Sequence, residues 1–210
     1  MALIPNPYAH KKRLERAGDY TALIALEPDN AQWYLSRGVR QGNTERAMAD
    51  FDKAIELDPN YAEAYNQRAQ ARLFSSNQPI SNDDYLLALD DANTAIRLDP
   101  NVSRYYYQRA QVYGELSNFE AAEKDLREMI RLKPNALSYS NRGNFFEHIK
   151  KDLQAALADY MMAIELSEQE AAKMRGYSEF PLEILYRDRG DVYKKLGELE
   201  KATADFEKAK

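Results

Sequence analysis

Apolar residues recur three and four positions apart along most of the chain, and they do so in paired stripes. In YYQRAQVY, residues 106–113, Tyr106, Ala110 and Tyr113 share one face of a helix read at about 100° per residue. Ala122, Leu126 and Met129 mark a second stripe with the same spacing. Between them Gly114 and Ser117-Asn118 predict a turn, and Pro134 predicts the end of the second helix because proline cannot donate to the helical ladder. The pattern is a helical hairpin with its two stripes facing each other.

The hairpin repeats. First-helix blocks read YLSRG (34–38), YNQRA (65–69), YYQRA (106–110), YSNRG (139–143) and YRDRG (186–190). Second-helix blocks begin at Ala47, Ala88, Ala122, Ala156 and Ala202. Gly38, Ala69, Ala110, Gly143 and Gly190 fall where the two helices of each pair approach most closely, so a large side chain there should force them apart. Five units follow, at about 31–60, 61–101, 102–135, 136–182 and 183–210, preceded over 1–30 by a partial hairpin that caps the stack, with its turn at Gly18-Asp19-Tyr20. The first unit is short in its inter-helix turn, VRQGNTER. The second carries an insertion, SSNQPISNDDYLL (75–87), which is expected to be a loop. The fourth lacks the terminal proline, and its second helix should run on until Gly176 and Pro181 break it.

These blocks resemble the tetratricopeptide repeat, a helix-turn-helix of about 34 residues. Tyr106, Ala110, Tyr113, Ala122, Leu126 and Pro134 fit its pattern, and Tyr186, Gly190, Tyr193, Gly197, Ala202, Phe206 and Ala209 fit it further. The resemblance covers about residues 31–210 and implies an all-α fold, a right-handed superhelical solenoid of antiparallel helix pairs. It also implies a non-enzymatic adaptor or scaffold whose first helices line a concave groove for a peptide or partner protein.

Each first helix carries one arginine beside its stripe: Arg37, Arg68, Arg109, Arg142 and Arg189. Each second helix carries an aspartate: Asp50, Asp91, Asp125, Asp159 and Asp205. A guanidinium can satisfy a carboxylate through two parallel hydrogen bonds, so the ten residues read as a structural ladder of ion pairs. Asp50 to Arg68 and Asp91 to Arg109 are each 18 residues, and Asp125 to Arg142 is 17. The spacing therefore admits pairs within a unit or between neighbouring units.

The side of the first helices away from the stripe is expected to be open. It carries Asn66, Gln67 and Gln70; Tyr107, Gln108 and Gln111; Ser140, Asn141 and Asn144; and Arg187, Asp188 and Asp191, with Arg104 and Arg187 as flanking charges. Asn and Gln offer both a donor and an acceptor, which matches an extended peptide backbone. The centre of this face reads as neutral. The carboxylate-clamp variant of the family, which holds a partner's C-terminus with Lys, Asn and Arg, is not reproduced: Asn66 and Gln70, Gln67, and Arg104 with Gln108 stand in the matching places.

Charge and composition narrow the alternatives. A net charge of −5 and a pI near 5.3 argue against nucleic acid as a partner, since the one dense basic run is His10-Lys11-Lys12-Arg13 with Arg16. The chain has no cysteine, which excludes thiolate chemistry and disulfides. Its two histidines, His10 and His148, lie in different repeats without metal-ligand spacing, so no metal, cofactor or catalytic group is expected. Pro5 and Pro7 interrupt the N-terminus where a signal peptide needs an apolar core, and no stretch is long enough for a membrane span. The expectation is a cytoplasmic protein without membrane insertion. An array that ended in the second helix of unit five would leave apolar surface at Leu199 and Phe206, which predicts weak self-association through the C-terminal repeat.

Overall fold

The computed structural model describes residues 7–42, 45–74, 80–174 and 178–210. The predicted break at Gly176 lies outside the described residues, as do residues 75–79 of the insertion. The fold is all-α, with no strand among the described residues. Two compact units divide it, Met1–Pro100 and Asn101–Lys210.

The first unit stacks three helical hairpins: α1 (Pro7–Ala17) with α2 (Tyr20–Leu26), α3 (Ala31–Gln41) with α4 (Glu45–Leu57), and α5 (Ala62–Leu73) with α6 (Asn82–Leu98). Asp19 and Asn30 start α2 and α3 by accepting the backbone N–H groups of Ala22 and Gln32. The insertion is not all loop. Ser81 and Asp84 form a capping box that starts α6 at Asn82, so the second half of the insertion lengthens that helix. Leu35, Phe51, Ala54 and Ala64 form one buried cluster, and Leu14, Leu23 and Trp33 form another around the N-terminal hairpin.

The second unit pairs α7 (Ser103–Glu115) with α8 (Phe119–Leu132) and α11 (Leu182–Lys195) with α12 (Leu199–Lys208). Between them α9 (Ala136–Asn144) runs into a π-helical segment, Phe145–Lys150, before α10 (Leu153–Lys173). The ladder residues show why. Arg142 and Asp159 are 17 residues apart, against 16 for Arg109 and Asp125 and 16 for Arg189 and Asp205. The extra residue is absorbed by the wider π turn, and Lys151 closes it in the left-handed region at φ 62°.

Gly114 is not a turn residue. It is buried inside α7, where an added Cβ would lie 2.8 Å from Ile149 and 2.9 Å from Phe145 of the π segment. The chain reverses instead at Ser117, φ 57°, and Asn118. The stripe also differs in detail from its sequence reading. Ala110 is fully enclosed, but Tyr105 is the most buried tyrosine of α7, while Tyr106 and Tyr113 are partly exposed and flank the Arg109 guanidinium at 5.8 Å each. A phenol that keeps its hydroxyl near water and its face against a cation does both at the edge of a helix contact.

The small residues on the first helices match the side chains opposite them. A Cβ on Gly38 would lie 2.6 Å from the Phe51 ring, on Gly143 2.9 Å from Tyr160, and on Gly190 2.7 Å from Phe206. Where the first helix carries Ala110, the residue in that register is Leu126, and where it carries Ala69, the residue is Ala92. Glycine faces a ring and alanine faces an aliphatic side chain, because the contact has room for one bulk or the other.

Candidate functional site

All five arginines pair with the aspartate of their own hairpin. Arg37 Nε and Nη2 donate to Asp50 at 2.9 and 2.7 Å, Arg109 to Asp125 at 2.7 and 2.7 Å, Arg142 to Asp159 at 2.8 and 2.6 Å, and Arg189 to Asp205 at 2.7 and 2.7 Å. Arg68 does the same to Asp91 at 2.9 and 2.5 Å. The aspartates are buried and the arginines half-buried, so each carboxylate depends on its fork for compensation. Between hairpins, Arg68 Nη1 reaches Asp52 on α4 at 2.7 Å. The Asp125 and Asp159 hydrogen bonds hold the pKa of Arg109 and Arg142 above the usual guanidinium value.

The first-helix residues divide by burial. In the first unit, Gln67 and Gln70 are partly exposed, and Gln67 donates to Glu63 at 2.7 Å. Asn66 is not on an open face: it is 4% exposed and its Oδ1 has no hydrogen-bond partner. In the second unit, Arg104 and Arg187 are exposed, and Tyr107, Gln111, Asn141 and Asn144 are partly exposed. Asn144 caps inward onto the Ser140 carbonyl at 3.1 Å. Gln108 is 5% exposed with its Nε2 unpartnered, and Ser140 is 1% exposed. A first helix is packed upon by its own second helix and by the next hairpin, so its open face is narrower than the side opposite one stripe.

Nor is the face neutral throughout. Glu147, on the π segment, is 3% exposed, accepts the Tyr160 hydroxyl at 2.8 Å and receives Lys195 Nζ from α11 at 2.6 Å. His148 Nε2 lies 3.5 Å from the same carboxylate. Burial raises the pKa of Asp188 to about 6, and the charges of Glu147 and Asp191 add to that rise. Burial also raises the Tyr107 hydroxyl. Glu147 escaped the sequence reading because a glutamate near a helix end looks like solvated surface. The signal available was the one-residue excess between Arg142 and Asp159, which places a distortion at this point of the repeat.

Among the described residues, no group of three or more His, Asp or Glu side chains is arranged to hold a metal ion, and no helix is long and apolar enough to cross a membrane. The repeated hairpins with their facing small and bulky residues are matched by family models described as TPR repeat, over residues 39–73, and tetratricopeptide repeat, over 103–135 and 185–210. The chain is a tetratricopeptide-repeat protein.

Relatives place these repeats within longer proteins. The human mitochondrial import receptor subunit TOM70 is 26% identical over 195 residues, which is 91% of this chain and 30% of that protein. The chain spans between 16% and 30% of the length of the curated relatives it matches. Among solved structures, the APC/C hetero-tetramer Cut9-Hcn1 superposes with a TM-score of 0.67 at 19% identity, over 95% of this chain and 38% of that one. YrrB, described as a TPR protein with an unusual peptide-binding site, superposes with a TM-score of 0.52 at 22% identity, over 90% of each chain. At these identities the structural likeness is one of fold.

Proposed function

We propose that this tetratricopeptide-repeat chain is a protein-interaction module whose first helices hold an extended peptide segment of a partner protein. Three buried side-chain amide atoms among the described residues lack a hydrogen-bond partner: Gln41 Oε1, Asn66 Oδ1 and Gln108 Nε2. The observation that carries the reading is that two of them, Asn66 in the first unit and Gln108 in the second, belong to the predicted peptide-binding residues. A buried polar atom without a partner lowers stability, so its retention calls for a use. Within each unit a peptide backbone supplies the missing group once the side chain turns outward: a donor for Asn66 beside the partly exposed Gln67 and Gln70 in the first, and an acceptor for Gln108 beside the partly exposed Gln111, Asn141 and Asn144 in the second. Tyr107 offers a ring for stacking, and Arg104 and Arg187 are placed to orient acidic residues of the ligand. The family match and the likeness to YrrB and TOM70 support a binding role of this class.

The test is selection from a random peptide library on the full chain, followed by measurement on two variants. Gln70→Ala with Gln111→Ala and Asn144→Ala should lose the selected peptides while keeping its melting temperature. Asn66→Leu with Gln108→Leu should also lose them and melt no lower than the parent, because removing an unsatisfied polar group is neutral or stabilising. Peptides that bind both variants as they bind the parent would refute the assignment.

A further inference from the structure

Arg68 and Arg189 differ in how many of their nitrogens the ladder occupies. Arg68 uses three of its nitrogens: Nε and Nη2 on Asp91, and Nη1 on Asp52 Oδ1 at 2.7 Å. Asp52 stands on α4 two residues past Asp50, the ladder carboxylate of the preceding hairpin. In the same register of the second unit, two residues past Asp159 on α10, stands Met161, and the arginine of the following hairpin is Arg189. Arg189 Nε and Nη2 are taken by Asp205, and among the described residues no carboxylate takes Nη1. A cavity of about 540 Å³ opens here, lined by Met161, Met162, Tyr186, Arg189 and Lys208.

We propose that this cavity is a docking seat for one acidic side chain of a partner protein, whose carboxylate takes on Arg189 Nη1 the place that Asp52 takes on Arg68. The seat differs from the peptide-binding face: Arg189 lies about 200° around α11 from Arg187. Three properties define its occupant. A guanidinium presents five N–H donors in a planar fork, and Asp205 uses two of those of Arg189, so an outer edge is left for a second carboxylate. Lys208 Nζ, 5.0 Å from the centre of the Tyr186 ring, adds a second cation to the wall. Met161 and Met162, 50% and 38% exposed, supply an adaptable apolar floor for the residue beside the acid.

Glu165 and Glu168 also line the cavity, the latter held by the Tyr186 hydroxyl at 2.5 Å. They repel a polyacidic run. The seat therefore selects a single Asp or Glu flanked by apolar residues.

The molecule supplies its own control, because Met161→Asp should rebuild within the chain the contact that Asp52 makes with Arg68. Binding of the capped peptide acetyl-Leu-Glu-Leu-amide is followed on the isotope-labelled full chain through the Arg189 side-chain N–H resonance, with acetyl-Leu-Gln-Leu-amide as the uncharged control. The expected result has two parts. Met161→Asp melts higher than Met161→Asn, and it binds the acidic peptide with a Kd raised about tenfold or more over the parent. The proposal is overturned if the Asp and Asn variants melt alike, or if the acidic peptide moves the Arg189 resonance no more than the control does. It is overturned as to occupant if the resonance moves with protein concentration alone, since the seat would then be filled by a second copy of the chain.

Discussion

Tyr160 donates its hydroxyl to Glu147 across 2.8 Å, and so joins the core ring of α10 to a carboxylate carried by the π segment. The same ring lies 2.9 Å from where a Cβ on Gly143 would stand. One side chain thus fixes both the spacing of a helix pair and the position of a buried charge. Replacing it with phenylalanine keeps the first function and removes the second. Tyr160→Phe is expected to lower stability by about 1–3 kcal/mol, the range for leaving a buried acceptor short of a donor. Urea denaturation with an unchanged m-value would report this; a variant as stable as the parent would show that Lys195 alone satisfies Glu147.

Asp188 gives the fold a pH dependence of known sign. Its pKa in the folded state, about 6, lies above its ordinary value of 3.8, so the folded chain binds the proton more tightly than the unfolded chain. Its contribution is most favourable below 3.8 and is lost as pH rises through about 6. Asp188→Asn should remove this slope and be more stable than the parent at neutral pH. Discounted for partial solvent screening, the gain is about 1 kcal/mol. Melting temperatures of both proteins across this window provide the check, and parallel curves would contradict it.

Glu27 behaves in the opposite sense. Its carboxylate accepts from Lys11 on α1 at 2.5 Å, from Trp33 Nε1 at 2.8 Å and from Asn30 at 3.0 Å, and these bonds, that of Lys11 foremost, lower its pKa from 4.5 to about 2. The stabilisation is present above 4.5 and lost as pH falls through about 2. Trp33 is the one tryptophan of the chain, so its fluorescence reports the event directly. Acidification should change the emission of the parent in this window, and Glu27→Gln should abolish that step.

The arginine ladder is expected to act on stability. Arg109→Ala leaves the buried Asp125 without its fork and should cost about 1–3 kcal/mol, whereas the exposed Lys124→Ala should be near neutral. Arg109→Lys should recover only part of the loss, since an ammonium cannot make the two parallel bonds. Calorimetry on the three variants decides the order.

Bulk exchange across a hairpin should be reciprocal. Gly190→Ala drives a methyl group to within 2.7 Å of Phe206 and is expected to destabilise by about 1–3 kcal/mol. Combined with Phe206→Leu it should cost less than the sum of the two single changes, because Ala110 and Leu126 already coexist in that register. Strict additivity would mean that the glycine and the ring do not compete for space.

The hairpins, their close-approach positions and the ten ladder residues were all readable from the sequence, because repetition turns weak local patterns into a register. Which partner each arginine takes was not, since both helices of a hairpin border both contacts and only coordinates separate 13 to 23 residues within a hairpin from 17 or 18 between hairpins. The capping box at Ser81 and the extra residue before Asp159 were legible in principle. The first was hidden by reading the insertion as loop, and the second because first-helix and second-helix blocks were each aligned without comparing the Arg-to-Asp separation inside a hairpin. The burial of Glu147 goes with its contacts to Tyr160 of α10 and to Lys195 of the next hairpin. No single-helix periodicity carries that information.

Closing each bidentate ladder pair inside its own hairpin has a consequence for how such a chain changes over generations. A duplication or deletion of one hairpin copies or removes a ladder arginine together with its aspartate, and leaves no ladder carboxylate orphaned in what remains. Contacts between hairpins behave otherwise: losing α11–α12 would leave the buried Glu147 without Lys195, and losing α3–α4 would leave Arg68 Nη1 as open as that of Arg189. Gene rearrangement in this family of sequences can therefore expose new cationic edges without a single point mutation.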